Sequence, residues 1–435
     1  MKIESLRLEH FRRFDDFTIS FDKQLTVLVA KNGAGKTSIL DGLATALGPF
    51  LTRLPGVNGI NPKETDFQIY PDGSKPAYMR ITAESFEGVK WDRTEKRDKA
   101  KGTAKQIPEA LGVKPINEYA DGFIEQFNNR IAFELPIFAY YGAGRGVFDV
   151  PARKRGFGKN FTRFDALKGC LESRTNFRGF VEYFYSLEEI ENNKQKEARS
   201  FDIEIAELRA IREAVNKMIP AFSNPRGAYP AGIYVDWQQD GIKKQLRIEQ
   251  LSDGYRTTLA MVMDIAARMA EANPDNPDMN SPLDSHGVVM IDEVDLHLHP
   301  GWQQTILLDL MRTFPNVQFI VSTHSPQVIS SVKPQSLRVI DWKKGAPELV
   351  PIAFSEGAEA QQVLLDVLGL ESPRVEALNI VKTLEQYQAL VAADKWDSKE
   401  ALEMRQTLDE WGAEHEPELA RLDMDIRIKE WEREQ

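Results

Sequence analysis

Residues 25–47 read LTVLVAKNGAGKTSILDGLATAL, an apolar run followed by a glycine-rich turn and a helical pattern. The run LTVLVA predicts a strand buried on both faces, because strands inside a parallel sheet have no polar side. The glycines let the backbone of the turn wrap a polyphosphate with its N–H groups pointing inward, and the start of the following helix adds partial positive charge. The stretch therefore predicts a strand, a phosphate-binding loop and a helix in direct succession.

This phosphate loop, residues 30–37, supplies side chains as well as backbone. The spacing places Lys36 on the β- and γ-phosphates of a nucleotide and Thr37 on Mg²⁺. Ala30 stands where the pattern usually has glycine, and its methyl group should alter the loop geometry if the position requires a positive φ. A chance glycine-rich turn is the alternative. The residues expected to bind nucleotide here are Asn32, Gly33, Ala34, Gly35, Lys36, Thr37 and Ser38.

A second motif lies in GVVMIDEVDLHLHP, residues 287–300, where an apolar strand ends in two adjacent carboxylates. We expect Asp292 to take part in the Mg²⁺ site through a water of the metal shell, and Glu293 to orient and deprotonate the attacking water. The alternative is an acidic start to a loop. His297 and His299 could bind a metal, but no third ligand has a suitable spacing, and Pro300 indicates a helix start instead.

The order of four motifs resembles that of ABC-type ATPases of the RecF and structural-maintenance-of-chromosomes class. After the phosphate loop come LSDGY at 251–255, VVMIDE at 288–293 and STHSP at 322–326, so the resemblance covers most of residues 1–341. It implies ATP and Mg²⁺ as cofactors, ATP hydrolysis and a head-to-head homodimer. In such a dimer Ser252 and Gly254 of one subunit cap the γ-phosphate bound to the other. A helix N-cap is a second interpretation of LSDGY, and both can hold together.

The same resemblance implies roles for five further residues. His324 would sense the γ-phosphate, with a capping or core histidine as the alternative. Arg12 would lie near the phosphates, or else be a surface arginine in a turn, and Gln68 is the candidate for the family's Mg²⁺-contacting glutamine. Asp295 would begin the loop that links the two active sites. Arg145 would lie near the nucleotide or the dimer partner, or have a structural role.

A narrower resemblance rests on EVDLHLHP at 293–300, YYGAGR at 140–145 and the tail that begins SEGAEAQQVLLDVLGL at 355. These segments resemble the ATPase subunit of Septu-type and retron-associated anti-phage systems. The resemblance implies an HNH-type nuclease as a separate partner, controlled when phage infection or abnormal DNA is sensed. Two other functions stay open: a RecF-like repair ATPase that binds DNA, and a nucleotide-binding scaffold with negligible turnover.

The succession of strand and helix patterns predicts an α/β fold. We expect an ABC-type ATPase head with a mixed, largely parallel sheet and an antiparallel N-terminal sheet, formed by residues 1–150 and 222–354. Residues 151–221 read as an inserted helical subdomain. Residues 355–435 read as an all-helical, acidic region that binds a partner protein.

Charge and cysteine content bear on the partners that the protein could bind and on the cellular compartment that we expect for it. The chain has 66 acidic and 55 basic residues, and its net charge of −11 is carried by the region after residue 354, so acidity is no argument against nucleic-acid binding by the rest. The single cysteine, Cys170, excludes an internal disulfide. The first residues read directly as a strand pattern, and no apolar run of about 18 residues occurs, so we expect a cytoplasmic protein.

Two surfaces are candidates for macromolecular partners. Basic and aromatic residues alternate in one run, which predicts contact with DNA or, alternatively, a solvated face: Arg153, Lys154, Arg155, Phe157, Lys159, Phe161, Arg163 and Phe164. Apolar residues recur at helical spacing in the tail, which predicts either a protein-binding face or packing on the protein's own core: Val363, Leu364, Val367, Leu368, Leu370, Leu378, Val381 and Leu384.

Overall fold

The computed structural model describes residues 1–145, 162–173, 177–228, 232–274 and 279–434. The chain divides into two compact units, Met1–Val363 and Leu364–Gln435. No helix in these described ranges is long and apolar enough to cross a membrane.

All strands lie in the first unit as far as the described residues extend. They are β1 Ile3–Phe11, β2 Phe14–Ser20, β3 Leu25–Ala30, β4 Tyr78–Ser85, β5 Lys90–Lys96, β6 Ile137–Tyr141, β7 Phe222–Ala228, β8 Gly232–Gln239, β9 Ile242–Arg247, β10 Gly287–Ile291, β11 Val317–Thr323, β12 Leu337–Lys343 and β13 Ala346–Val350.

The helices of the first unit are α1 Lys36–Arg53, α2 Lys101–Lys105, α3 Lys114–Asn128, α4 Arg178–Ala198, α5 Ala206–Met218, α6 Asp253–Ala272, α7 Pro300–Gln303, α8 Ile306–Thr313, α9 Pro326–Ile329 and α10 Ala360–Gln362. Those of the second unit are α11 Asn379–Ala392, α12 Lys399–Trp411 and α13 Pro417–Glu434.

The central sheet has six strands in the order β13-β12-β3-β11-β10-β6, and only β13 runs antiparallel to its neighbour. Strands β3, β6, β10 and β11 are buried along their whole length, as expected for strands covered on both faces. The predicted α/β fold with a largely parallel sheet is confirmed. Because β3, β11 and β10 are parallel neighbours, the residues that follow them meet at one edge of the sheet.

The first unit also contains two antiparallel sheets, with the strand orders β2-β1-β4-β5 and β7-β8-β9. Helix α1 contacts β1 and β4 of the first antiparallel sheet as well as β3 and β11 of the central sheet. The apolar side chains of α1 are buried at these contacts. The helix that follows the phosphate loop is therefore fixed between the two sheets.

Helix α1 is longer than the sequence indicates. Glycine and proline at positions 48 and 49 predict an end near Leu47, yet the helix continues to Arg53 with Pro49 inside it. The reason is burial: Phe50 is in the core, where its ring packs edge-on against Phe138 and Phe123.

The second unit is helical, which confirms the predicted helical C-terminal region. Its helices enclose a core of their own that consists of Leu384, Tyr387, Val391, Trp396, Ala401, Leu408, Leu419 and Leu422. Several positions of the predicted apolar stripe are internal, including Val363, Val367 and Val381, whereas Leu370 and Leu378 are exposed. Core packing therefore accounts for much of the stripe.

Most of the predicted nucleic-acid run, residues 153–161, lies outside the described residues. Of the two members that the structure describes, Arg163 is half-buried and Phe164 is buried. Arg163 donates hydrogen bonds to the carbonyl oxygens of Phe133 and Ala272. The Arg163 guanidinium thus ties main-chain segments together and the Phe164 ring packs in the core, while nucleic-acid contact by the run stays a prediction.

Candidate functional site

The phosphate loop connects the end of β3 to the start of α1. Gly33 and Gly35 have φ angles of 74° and 109°, in the left-handed region that favours glycine. A Cβ atom on Gly35 would lie 2.5 Å from Cζ of Phe14, so both the conformation and the space require glycine there. Ala30 is the last residue of β3 and is not among the residues with positive φ. The expected disturbance by its methyl group is therefore wrong.

Lys36 and His324 are brought together across this loop. The Lys36 ammonium Nζ lies 2.7 Å from Nε2 of His324 and donates a second hydrogen bond, 3.0 Å long, to the carbonyl oxygen of Ala30. Burial lowers the pKa of Lys36, and burial together with the Lys36 charge lowers the pKa of His324. A neutral His324 that carries its proton on Nδ1 accepts from Lys36 at Nε2.

Thr37 and Asp292 form the second contact of the site. The Thr37 hydroxyl donates to Oδ2 of Asp292 at 2.8 Å, and Ser322 donates to the other carboxylate oxygen. The Asp292 main-chain N–H donates to the Tyr141 carbonyl at 2.8 Å, which anchors Asp292 to the neighbouring strand. Hydroxyl and carboxylate oxygens are the ligands that Mg²⁺ prefers, and the ion commonly takes one or two from protein and others from phosphates.

No cluster of three or more His, Cys, Asp or Glu side chains suited to a metal occurs in the described ranges. The donor set of Thr37 and Asp292 therefore fits a Mg²⁺ ion that is held largely by nucleotide phosphates and water.

His299 uses its Nδ1 to accept from the Gly301 N–H at the start of α7. Pro300 is the first residue of α7, as expected for a helix start.

Glu293 follows in an unusual backbone conformation, with φ at 51°. Its N–H donates to the Ser322 hydroxyl at 2.8 Å, and its carbonyl accepts from Arg145 at 2.9 Å. Among the described residues no side chain forms a hydrogen bond or ion pair with its carboxylate. The main chain of Glu293 is thus fixed while the carboxylate stays available.

Arg145 is the residue that completes this arrangement. Its guanidinium donates to the carbonyl oxygens of Asp292 at 2.6 Å and Glu293 at 2.9 Å. Burial lowers its pKa, and the nearby carboxylates of Asp292, Glu293 and Asp295 oppose that effect. Of the roles left open by the sequence, these contacts are those of a positioning residue for the two acidic residues.

Arg12 contacts carboxylates rather than the phosphate loop. It donates to Asp41 on α1 at 2.7 Å and to Asp66 at 2.9 and 3.0 Å, and Tyr140 also donates to Asp41. These ion pairs occupy the guanidinium of Arg12. None of them places Arg12 on the phosphate loop, where we expected it from the sequence. They hold α1 to the first antiparallel sheet.

The neighbouring Arg13 makes the contact that was expected of Arg12. It donates to the Gly33 carbonyl, and its guanidinium carbon lies 3.6 Å from the ring centroid of Trp342. The Trp342 indole N–H in turn donates to the Ala34 carbonyl at 2.9 Å. Both side chains therefore hold the phosphate loop in place, and neither of them was identified from the sequence.

Gln68 does not join the predicted metal site. Its described contacts are with His10, through a main-chain hydrogen bond of 2.9 Å and a side-chain contact of 3.4 Å. Thr37 and Asp292 are not among them. The loop that carries Gln68 is paired with the first strand of the antiparallel sheet, which keeps this side chain on His10.

The signature-like segment lies at the start of α6. Ser252 is the N-cap residue and is exposed, but its side chain makes no capping hydrogen bond. Gly254 packs closely against the main-chain carbonyl of His297. An added Cβ at Gly254 would lie 2.4 Å from this oxygen, so the position has no room for a side chain. No contact of Ser252 or Gly254 with the phosphate loop occurs within the described part of the chain.

Asp295 is held by the segment that carries His324. The Thr323 hydroxyl donates to Oδ1 of Asp295 at 2.6 Å, and the Thr323 oxygen also accepts from the Ser325 N–H. One chain segment thus links Lys36, through His324, with the loop that begins after the acidic pair.

Comparison with known proteins agrees with this geometry. A family model described as "AAA domain" matches residues 5–220, and one described as "AAA ATPase domain" matches residues 164–329. Together these two matches extend over residues 5–329, so this part of the chain carries AAA-type ATPase domain sequence. The predicted ATPase activity is confirmed by these matches.

The ATPase resembles two proteins along nearly their whole length. It is 27% identical to the Retron Ec83 probable ATPase of Escherichia coli, over 99% of this chain and 88% of the relative. It is 25% identical to the Retron Vc95 probable ATPase of Vibrio cholerae serotype O1 biovar El Tor, over 94% of this chain and 87% of the relative.

Two further similarities are more limited. The Septu protein PtuA of Bacillus mycoides (strain KBAB4) is 44% identical over 80 residues, which are 18% of this chain and 10% of the relative. Among solved structures, the SmcHead bound to the C-winged helix domain of ScpA matches with a TM-score of 0.44 and 16% identity, over 81% of this chain and 99% of that one. The predicted resemblance to retron and Septu ATPases is confirmed by the sequence matches.

Proposed function

We propose that the ATPase binds Mg²⁺-ATP on the phosphate loop and that Glu293 deprotonates the attacking water. The observation that carries this proposal is the state of Glu293: its backbone is held by Ser322 and Arg145, while its carboxylate has no partner among the described residues. A base with a fixed backbone and an available carboxylate can orient water without first breaking an ion pair.

The other residues of the site have complementary roles in this proposal. Thr37 and Asp292 would hold Mg²⁺, which when bound compensates negative charge on the phosphates. Lys36 would donate to the β- and γ-phosphates in place of its present acceptors, and His324 would sense the γ-phosphate through that exchange. Asn32, Ser38 and the main-chain N–H groups at the start of α1 complete the phosphate cradle.

Glu293→Gln tests the assignment of the base. We expect kcat for ATP hydrolysis to fall at least about 100-fold, because an amide accepts no proton, while ATP affinity stays within about threefold. Glu348→Gln, an exposed glutamate on β13, is the control and should retain wild-type turnover. Wild-type turnover by the Glu293 variant would show that another group is the base.

We further propose that two copies of the ATPase associate head to head when ATP is bound, and that Ser252 and Gly254 of each copy face the phosphates of the other. The exposed, uncapped hydroxyl of Ser252 supports this, because a polar group at a helix start that makes no local capping bond is available to an anion.

Mixing two inactive variants tests this shared site. Lys36→Ala removes the phosphate contact of one copy, and Ser252→Arg blocks the capping surface of the other. In a mixed dimer one site has both defects and the second has neither, so we expect activity to return to about a quarter of wild type at equal mixing. A mixture as inactive as its components would contradict the shared site.

We also propose that the ATPase acts in anti-phage defence by controlling an HNH-type nuclease that docks on the second unit. Helix α13 supports this proposal, since Met424, Ile428 and Trp431 are 66%, 48% and 61% exposed and lie on one face at spacings of four and three. A pull-down with an HNH-type nuclease encoded beside the ATPase gene tests it. Ile428→Glu should abolish capture and preserve ATP turnover, and Lys382→Glu on α11 should change neither. Capture that is unaffected by Ile428→Glu would exclude this face.

DNA contact by residues 153–155 stays a prediction, since they lie outside the described residues. Changing Arg153, Lys154 and Arg155 to glutamate should lower DNA affinity at least tenfold and reduce its salt dependence, with ATP binding intact. Unchanged DNA affinity would exclude this run as the contact.

A further inference from the structure

A cavity of about 310 Å³ lies in the first unit, away from the residues of the nucleotide site. Its walls are the first half of α4, the last half of α6 and the segment 165–172 between β6 and α4. The lining combines charged side chains with two aromatic ones, Phe180 and Tyr183. A pocket with an apolar wall and a few placed charges is the usual form of a small-molecule site.

Ion pairs account for most of the charge in this cavity. Three pairs neutralise one another: Asp165 with Lys168, Arg178 with Glu182, and Asp264 with Arg268. The lining contains two further carboxylates, Glu172 and Glu271, and no further cation among the described residues. The net charge that the described lining presents to a ligand is therefore negative.

Glu271 is the distinctive group. Its Oε1 atom is buried and has no hydrogen-bond partner, which is costly for a carboxylate. Burial raises the pKa of Glu271 to about 8. Asp165 and Asp264 add to this increase, and Arg268 and Lys168 oppose it. Tyr183 lines the same cavity, and burial, with a smaller contribution from the Glu271 charge, raises its pKa. Glu271 thus lines the cavity with a carboxyl group, and no described donor satisfies one of its oxygens.

We propose that this cavity binds a small organic cation, whose ammonium or guanidinium group takes the place of the Glu271 proton, which is released to solvent, and donates to the carboxylate while its apolar part packs against Phe180 and Tyr183. The unsatisfied oxygen selects a donor, the negative balance of the lining selects a cation, and aromatic rings favour a cation with an organic body. Among the described lining residues every basic side chain already pairs with a carboxylate, so none of them is left to attract an anion.

Calorimetric titration of the full-length ATPase with benzylammonium tests the proposal, and benzyl alcohol serves as a neutral probe of nearly the same shape. We expect the wild type to bind the cation at least tenfold more tightly than the alcohol, and Glu271→Gln to remove this preference. Glu197→Gln is the matched control, because Glu197 is an exposed glutamate at the far end of α4. It should bind as the wild type does.

A second variant blocks the cavity without touching a charge. Gly179 lines the cavity and has no atom within 4 Å of an added Cβ, so Gly179→Leu places a side chain in the space without a clash. This variant should fold with unchanged ATP turnover and lose benzylammonium binding at least tenfold. Equal binding of cation and alcohol by the wild type, or retention of cation binding in both variants, would overturn the proposal, as would the absence of any binding.

Discussion

Replacing Arg145 by alanine should slow ATP hydrolysis about 100-fold while ATP affinity stays within about threefold of the wild type. The guanidinium donates to the carbonyls of Asp292 and Glu293 and contacts no residue of the phosphate loop among those described. Its removal therefore acts on the position of the base and leaves the phosphate contacts in place.

The magnitude follows from two opposing terms at Glu293. Its backbone, with φ at 51°, is in a region that costs a non-glycine residue about 1–3 kcal/mol. Hydrogen bonds from a charged donor contribute about 1.5–3 kcal/mol each, and Arg145 supplies two. Without them the strain is no longer offset, the peptide relaxes, and a shift of about 1 Å in a catalytic group can cost about 100-fold in rate. Arg145→Lys keeps one donor at most, so a loss of about tenfold is expected.

Steady-state phosphate release gives kcat, and titration with a fluorescent ATP analogue gives affinity. Arg93→Ala is a matched control, because Arg93 also has its pKa lowered by burial and also donates to main-chain carbonyls, those of Thr45 and Ile60. Both variants should lose stability in urea, and only the Arg145 variant should lose turnover. A kcat within threefold of wild type for Arg145→Ala, or an equal loss in the Arg93 variant, would refute the reasoning.

Three other changes have expected outcomes. Gly35→Ala should weaken ATP binding more than about tenfold by calorimetry, because the new Cβ would lie 2.5 Å from Phe14 at a φ of 109°. Trp342→Phe removes one hydrogen bond to the Ala34 carbonyl and should weaken ATP binding about fivefold. For Glu271, whose pKa is raised from 4.5 to about 8, the folded state keeps a proton that the unfolded chain loses, so the free energy of unfolding should fall as pH rises through that interval. Denaturant titrations at about pH 6 and about pH 9 should show this fall in the wild type and a smaller one in Glu271→Gln.

The central part of the site could be predicted from the sequence because its residues follow buried strands. Lys36 comes after β3, Asp292 after β10 and His324 after β11, and these strands are parallel neighbours. Parallel strands bring their carboxyl ends to one edge, so three motifs far apart in the chain meet there without any knowledge of side-chain packing. The hydrogen bonds from Lys36 to His324 and from Thr37 to Asp292 are the result.

The contacts that hold this centre in place could not be predicted. Arg12 and Arg13 are adjacent and chemically equal, and only the docking of the first antiparallel sheet beside α1 decides that Arg12 pairs with Asp41 while Arg13 reaches Gly33. Trp342 lies in a strand more than 300 residues later, and no motif marks it. Such choices depend on distances between elements, which periodicity and spacing do not encode.

Asp253 and Tyr255 of LSDGY stand where the ABC-type motif that the segment resembles has glycine and glutamine, and both side chains have local contacts in the structure. The Tyr255 ring packs between Phe222 and Trp302, with centroid distances of 5.2 and 5.1 Å, and Asp253 accepts from Arg256 within the first turn of α6. Both side chains thus stabilise the start of the helix within one copy. Neither contact involves the Ser252 hydroxyl, which stays exposed and uncapped. Asp253 and Tyr255 therefore support this helix start without using the hydroxyl group that the proposed shared site requires. Variants at Tyr255 should accordingly lower stability more than they lower ATP turnover.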